Sequence, residues 1–153
     1  MTPKTLIAML GQKMSLPDLC LDEQGLAKLI FDGQLEVHIE YGAMANQLYF
    51  YTLLGQVPAT GKAVVFEKLL VGNLFGTVTH GGVLAIDPLT GDMLITTTLN
   101  PDKTDMVDFE KALENHVMAA EQWISKLKNE SCPPDSVPLV PVNENFTASF
   151  LRA

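Results

Sequence analysis

The chain begins with apolar residues at helical spacing, and runs in which apolar and polar residues alternate follow them. Thr2-Pro3 supplies a helix cap and a proline for the first turn, and the apolar stripe behind it predicts a short amphipathic helix over about 3–14. Asp32-Gly33 lies between two β-rich runs and therefore favours a hairpin. Four apolar residues of the second run alternate onto one face: Leu35, Val37, Ile39 and Tyr41.

The middle of the chain predicts a third strand, a second helix and a second hairpin. The strand at 47–55 is apolar on both faces, so we expect both to be covered. The run 62–76 is spaced as a helix with only Glu67 and Lys68 charged, which predicts that nearly all its surface is buried. Two strands over 78–99 flank a turn at 87–91, where proline and glycine favour turn geometry.

A long amphipathic helix closes the patterned region. Thr104 or Asp105 caps it, and its apolar stripe continues to Leu127, with Lys126 and Lys128 at the end that the helix dipole favours for cations. Four prolines then punctuate 130–153, which predicts a mostly irregular tail. The predicted fold is α+β: a helix, a three-stranded antiparallel sheet, a helix, a two-stranded hairpin and a long helix, forming one domain over 1–129.

Charge and apolar content narrow the class of partner. The formal net charge is −8, which disfavours nucleic acid and anionic membranes as partners. Although 47% of residues are hydrophobic, no apolar run reaches the roughly 18 residues of a membrane helix. The N-terminus lacks the pattern of a signal peptide. We therefore expect a cytoplasmic protein without membrane insertion.

Candidate chemistry is sparse along the chain. The loop 55–63 resembles a phosphate-binding loop, but its glycine spacing is one residue too long and Ala63 replaces the required hydroxyl, so we expect no nucleotide binding. The three histidines have no metal-ligand spacing: His38, His80 and His116. Cys20 and Cys132 belong to no paired motif, and Cys20 is expected to be buried. Asp87 and Asp92 are interpreted as turn residues instead of a calcium pair. No cofactor, metal or catalytic site is predicted.

Two sequence segments and the helix after them resemble those of a known family. They are 69-LLVGNLFG-76 and 81-GGVLAIDPLTGDMLI-95, followed by a helix that contains 122-QWISKL-127. Together they resemble the class I type III secretion chaperones of the Tir-chaperone (CesT-like) family, over about residues 3–128. The resemblance implies a bacterial cytoplasmic homodimer that binds the N-terminal segment of a secreted effector and keeps it secretion-competent. The ATPase of the secretion apparatus is a further candidate partner.

The resemblance and the apolar pattern together suggest two sets of site residues. Effector contacts are expected from the first helix and first hairpin: Leu6, Leu10, Leu29 and Phe31. The dimer interface is expected on the second helix: Val65, Leu69, Leu70, Asn73 and Leu74. A Leu/Met stripe is also typical of plain core, so each residue of the first set has that alternative. A small dimeric enzyme, ligand-binding protein or regulator of similar fold is the alternative function.

Overall fold

The structure, a computed structural model, describes residues 1–129. Its helices are α1 (Pro3–Lys13), α2 (Lys62–Gly72) and α3 (Met106–Lys128), and a short 3-10 turn, Leu74–Gly76, follows α2. Its strands are β1 (Leu26–Phe31), β2 (Leu35–Gly42), β3 (Gln47–Gln56), β4 (Val83–Ile86) and β5 (Asp92–Leu99). The predicted α+β order of elements is confirmed. The predicted tail, 130–153, lies outside the described residues.

All five of these strands form one antiparallel sheet in the order β1-β2-β3-β5-β4. The prediction of a three-stranded sheet and a separate hairpin was wrong in this detail. β5 pairs with β3 from Leu48↔Leu99 to Gln56↔Asp92, which joins the second hairpin to the first three strands. The sequence gives no local indication of this pairing, because α2 separates the two strands along the chain.

One face of the sheet carries the core. In β2, Leu35, Val37 and Ile39 are buried while Glu36 and Glu40 are exposed, as the alternation predicted. α3 packs on the buried face, where Phe109 meets Phe50 of β3 edge to face at 5.3 Å between ring centroids. On the opposite face of β3, Tyr49 and Tyr51 are half-buried and Leu53 is 49% exposed, so the expectation that both faces are covered holds fully for only one.

Side chains cap α1 and α3 at the predicted positions. The Thr5 amide donates to the Thr2 hydroxyl at 3.2 Å, and the Asp108 amide donates to the Asp105 carboxylate at 2.8 Å. Each bond satisfies an amide that has no partner within its own helix. Thr104, the other predicted cap, instead donates its hydroxyl to the Asn100 carbonyl. The caps therefore mark where α1 and α3 begin.

α2 is much less buried than its composition predicted. Within the described chain only Leu69 and Gly72 of this helix are buried, so the expectation that nearly all its surface is covered was wrong for the single chain. Gly72 allows the close approach to α3, because a Cβ there would lie 2.4 Å from Cζ2 of Trp123. The Trp123 indole in turn donates to the Val78 carbonyl at 3.0 Å. α2 therefore docks by one narrow face and presents the rest to solvent.

None of the helices within residues 1–129 combines the length and the apolar character needed to cross a membrane.

Candidate functional site

An open groove lies between α1, α3 and the end of β1. We call it the α1–α3 groove, and its volume is about 280 Å³. Apolar side chains form its floor: Leu10, Phe31, Leu113 and Val117. Longer side chains form its rim: Lys13, Met14, Glu110 and Glu114. An apolar concavity with a few polar groups at its edge is the usual form of a binding site.

An ion pair crosses the rim and connects the two helices. Lys13 Nζ lies 2.6 Å from Glu110 Oε1, and both side chains remain partly exposed. Glu114 follows Glu110 by four residues, so the two carboxylates lie on one face of α3, and Leu113 and Val117 are related in the same way. α3 thus presents an apolar row to the floor and an acidic row to the rim.

The turn after α1 positions Met14 at the groove. The Leu16 amide donates to the Gly11 carbonyl at 2.7 Å, which folds the chain back over the last turn of the helix. A Cβ at position 11 would lie 2.6 Å from the Leu16 carbonyl oxygen, so glycine is required for this close approach. Ser15 adopts a positive φ of 59° at the reversal. Met14 therefore ends the helix at the rim.

The four residues expected to bind an effector occupy different layers. Leu10 and Phe31 line the α1–α3 groove. Leu6 and Leu29 do not line it and are buried, at 0% and 3% exposure. Leu10 is itself only 3% exposed, so of the four residues only Phe31 presents a half-buried side chain to the groove, and Leu6, Leu10 and Leu29 pack as core, the alternative that the stripe also allowed. The α3 residues of the groove were missed, although their spacing within the helix stripe was visible in the sequence.

A second surface is apolar and exposed on α2 and the turn after it. We call it the α2 patch and define it by Val64, Leu70, Val71, Leu74 and Phe75. Leu70 is 72% exposed and Phe75 is 76% exposed. Phe75 also has a positive φ of 55°, a conformation uncommon for a residue with a side chain. Contiguous apolar surface of this kind commonly marks an interaction site.

Only two of the five expected interface residues belong to the α2 patch. Leu70 and Leu74 are exposed, Val65 is half-buried and Leu69 is buried in the core at 4% exposure. Asn73 makes two bonds to β4: its amide nitrogen donates to the Leu84 carbonyl at 3.0 Å, and its carbonyl oxygen accepts from the Leu84 amide at 2.7 Å. Val64, Val71 and Phe75 are exposed beside them and were not among the expected residues, since helical spacing alone does not show which face docks.

At each edge of the sheet, a residue from outside the strand bonds to the backbone of one outward-facing residue. Asn73 occupies the outer edge of β4 at Leu84, as a neighbouring strand would. At the other edge, the Leu26 amide donates to the Asp22 carboxylate and the Leu26 carbonyl accepts from the Asp22 amide. Alternate residues of an edge strand face outwards, so the backbone groups of Lys28 and Ile30 also lie on the outer edge of β1.

The remaining chemical groups are structural or exposed. His116 is buried on α3, with Nε2 at 3.1 Å from the Thr52 hydroxyl and Nδ1 at 2.9 Å from the Thr97 hydroxyl. Burial lowers the pKa of His116 to about 4, because desolvation disfavours the charged ring. Cys20 is exposed, so the expectation that it is buried was wrong. In the described part of the chain, no three His, Cys, Asp or Glu side chains are grouped to hold a metal ion.

Known proteins resemble the chain in both sequence and fold. The model of the family described as the Tir chaperone protein (CesT) family matches residues 5–124. A Chlamydia pneumoniae protein is 28% identical over 108 residues, which span 70% of this chain and 81% of that protein.

Solved structures with the same fold are also found. One is a chain of the crystal structure of the ExsC–ExsE complex, with a TM-score of 0.68 and 26% identity, covering 82% of this chain and 96% of that one. Another is a chain of the structure of the Yersinia pestis type III secretion chaperone SycH in complex with a stable fragment of YscM2. It has a TM-score of 0.61 and 20% identity, and covers 78% of this chain and 98% of that one.

Proposed function

Since the chain belongs to the Tir chaperone protein (CesT) family, we propose that it is a type III secretion chaperone that binds the N-terminal segment of a secreted effector. It acts in the bacterial cytoplasm by binding, without catalysis, and keeps the segment competent for secretion. The family match over residues 5–124 is the observation that carries this proposal. The α1–α3 groove gives the binding a physical basis, because it offers apolar surface to an unfolded partner.

The α1–α3 groove is the proposed site of the effector's apolar anchor. Leu10 and Phe31 contribute to its floor together with Leu113 and Val117. Leu6 and Leu29 support this floor from the core and do not touch the partner in this arrangement. Burying one Leu or Phe side chain is worth about 1.5–3 kcal/mol, so a few such contacts supply much of the affinity of a peptide.

The outer edge of β1 is the proposed place for an extended part of the effector. Lys28 and Ile30 present backbone groups there, while Leu26 is bonded to Asp22. A strand that adds to an edge gains main-chain hydrogen bonds without requiring a particular sequence. The opposite edge is shorter, since β4 has 4 residues against 6 in β1 and Asn73 occupies its Leu84 backbone, which favours β1.

A homodimer formed through the α2 patch completes the proposed assembly. A second copy of the chain would cover Val64, Leu70, Val71, Leu74 and Phe75, which are exposed in the single chain. Glu67, also exposed on α2, would lie at the border of such an interface or meet a partner group across it. Leu69 and Asn73 contribute by docking α2 against the rest of the fold.

Co-purification tests the proposed function directly. The chain is expressed with candidate effectors, beginning with any encoded beside its gene, and a stable complex with an effector N-terminal segment is expected. Phe31→Ala should weaken that complex about tenfold or more while the far-ultraviolet circular dichroism stays unchanged. Leu89→Ala is the control, because Leu89 is 93% exposed in the β4–β5 turn and does not line the groove.

Two results would count against this assignment. Failure of every candidate effector to co-purify would contradict the chaperone function. Undiminished affinity in a folded Phe31→Ala variant would place the anchor somewhere other than the α1–α3 groove.

A further inference from the structure

We propose that the α1–α3 groove selects a partner segment with a basic side chain next to its apolar anchor, and that Glu114 binds the base. This inference rests on the proposed function, because it specifies the chemistry of the effector segment. The proposed function requires only an apolar anchor. The charge preference is additional, and it arises from the rim residues of this chain.

The charges on the rim do not cancel. Lys13 and Glu110 pair with each other at 2.6 Å, so each neutralises the other. Glu114 is exposed, and none of the ion pairs within residues 1–129 includes it. The nearest cation along α3 is Lys111, three residues earlier, and it also forms none of these pairs. The rim therefore carries one unmatched carboxylate beside an apolar floor.

The spacing on α3 sets where the base must lie in the partner. Glu114 is adjacent in sequence to Leu113, whose side chain lies on the floor. The apolar row and the acidic row are neighbouring rows of one helix, separated by roughly 5–6 Å. In an extended partner, side chains two residues apart share a face at about 7 Å. In a helical partner, residues three or four apart meet that spacing. The base is thus expected two to four residues from the anchor.

Long-range attraction of a basic peptide to the whole acidic molecule must be distinguished from a contact with Glu114 at the groove. The net charge of −8 attracts any cation towards the whole molecule. A specific contact instead requires a carboxylate at the groove. Glu121 separates the two effects, because it is an exposed acid on α3 that does not line the groove. It lies seven residues from Glu114, about 10 Å further along the helix axis. Glu114→Lys and Glu121→Lys change the net charge equally, yet only the first alters the rim.

Selection from a phage-displayed library of random 12-residue peptides tests the preference without a known effector. Peptides bound by the wild-type chain should carry Lys or Arg two to four residues from an aliphatic or aromatic residue. Peptides bound by Glu114→Lys should carry Asp or Glu there, and Glu121→Lys should select as the wild type does. The same preference in all three proteins, or no enrichment by the wild type, would overturn the inference.

A recovered peptide then allows a double-mutant cycle by fluorescence anisotropy. Replacing its base by Gln, or Glu114 by Gln in the protein, should each weaken binding by roughly two- to fivefold, the range of an exposed ion pair. The two changes together should cost no more than either alone, and 0.5 M NaCl should remove the difference. Additive losses would refute the direct contact.

Phe31→Ala separates this inference from the proposed function. If Phe31→Ala weakens peptide binding while Glu114→Gln does not, the groove binds partners and the charge preference is wrong. If neither substitution matters, both the groove and its preference are wrong, while co-purification still decides whether the chain is a chaperone.

Discussion

His116 is held between two threonine hydroxyls at the interface of α3 and the sheet. Thr52 lies on β3 and Thr97 on β5, so one imidazole connects the helix to two neighbouring strands. Phe50 also packs edge to face against it, at 5.9 Å between ring centroids. Both ring nitrogens therefore have partners and the ring is surrounded by protein. The sequence showed only that His116 has no metal-ligand spacing, because its two threonine partners are distant along the chain and could not be identified.

Acid should destabilise the fold through His116. Its pKa is about 4 in the folded chain, below the ordinary value of 6.5, so the unfolded chain binds the proton first as pH falls. The stabilisation from neutral His116 is fully present above pH 6.5 and is lost as pH falls towards 4. Between pH 7.5 and 4.5 the expected loss is about 2–3 kcal/mol.

Urea denaturation at both pH values measures this effect. His116→Gln keeps a polar side chain that does not titrate, so the variant should lose about 2–3 kcal/mol less than the wild type over the same interval. An equal loss in the two proteins would show that groups other than His116 cause the acid sensitivity.

Elements with local patterns were predictable, whereas contacts between distant elements were not. Thr2-Pro3 and the stripe after it gave α1 almost to the residue, and Asp32-Gly33 gave the first hairpin, where both residues adopt positive φ. The pairing of β5 with β3 depends on chain segments separated by α2, and no short motif encodes it. The burial of α2 was mispredicted because an apolar composition does not show which residues a helix buries within its own chain.

The docking of α2 on α3 depends on the missing side chain of Gly72. Gly72→Ala places a methyl group against the Trp123 ring and Cδ1 of Leu84, which lie 2.4 and 2.7 Å from the position of its Cβ. Overpacking of this kind costs about 1–3 kcal/mol, more than the gain in helix propensity from alanine. Thermal and urea denaturation should both show the loss.

Trp123→Phe provides the matching test of this contact. The smaller ring gives the new methyl group room, so Gly72→Ala should cost less in the Trp123→Phe background than in the wild type. Equal costs in both backgrounds would show that the contact between position 72 and Trp123 does not limit the packing of α2.

At the scale of the whole molecule, the candidate site was predicted in part. Leu10 and Phe31 were selected from a helix stripe and a strand alternation, and they line the α1–α3 groove. Leu6 and Leu29 share those patterns but do not line the groove, and Leu10 is itself only 3% exposed, because packing and not period decides how far each side chain is covered. In the sequence, the acidic residues of α3 look like an ordinary solvent-facing row. They form the rim of a groove only because α1 packs beside them.

The α2 patch makes the oligomeric state testable by one pair of adjacent leucines. Leu70 is 72% exposed and Leu69 is 4% exposed, so substitution by Asp is expected to affect assembly at the first position and folding at the second. In Leu70→Asp the charge is solvated in the monomer and desolvated in a dimer, which should give a folded monomer. In Leu69→Asp the charge is buried in the core and should unfold or aggregate the chain. Leu89→Asp, at another exposed leucine, should remain a dimer. Light scattering and circular dichroism at micromolar concentration measure both properties, and a monomeric wild-type chain would contradict the proposed interface.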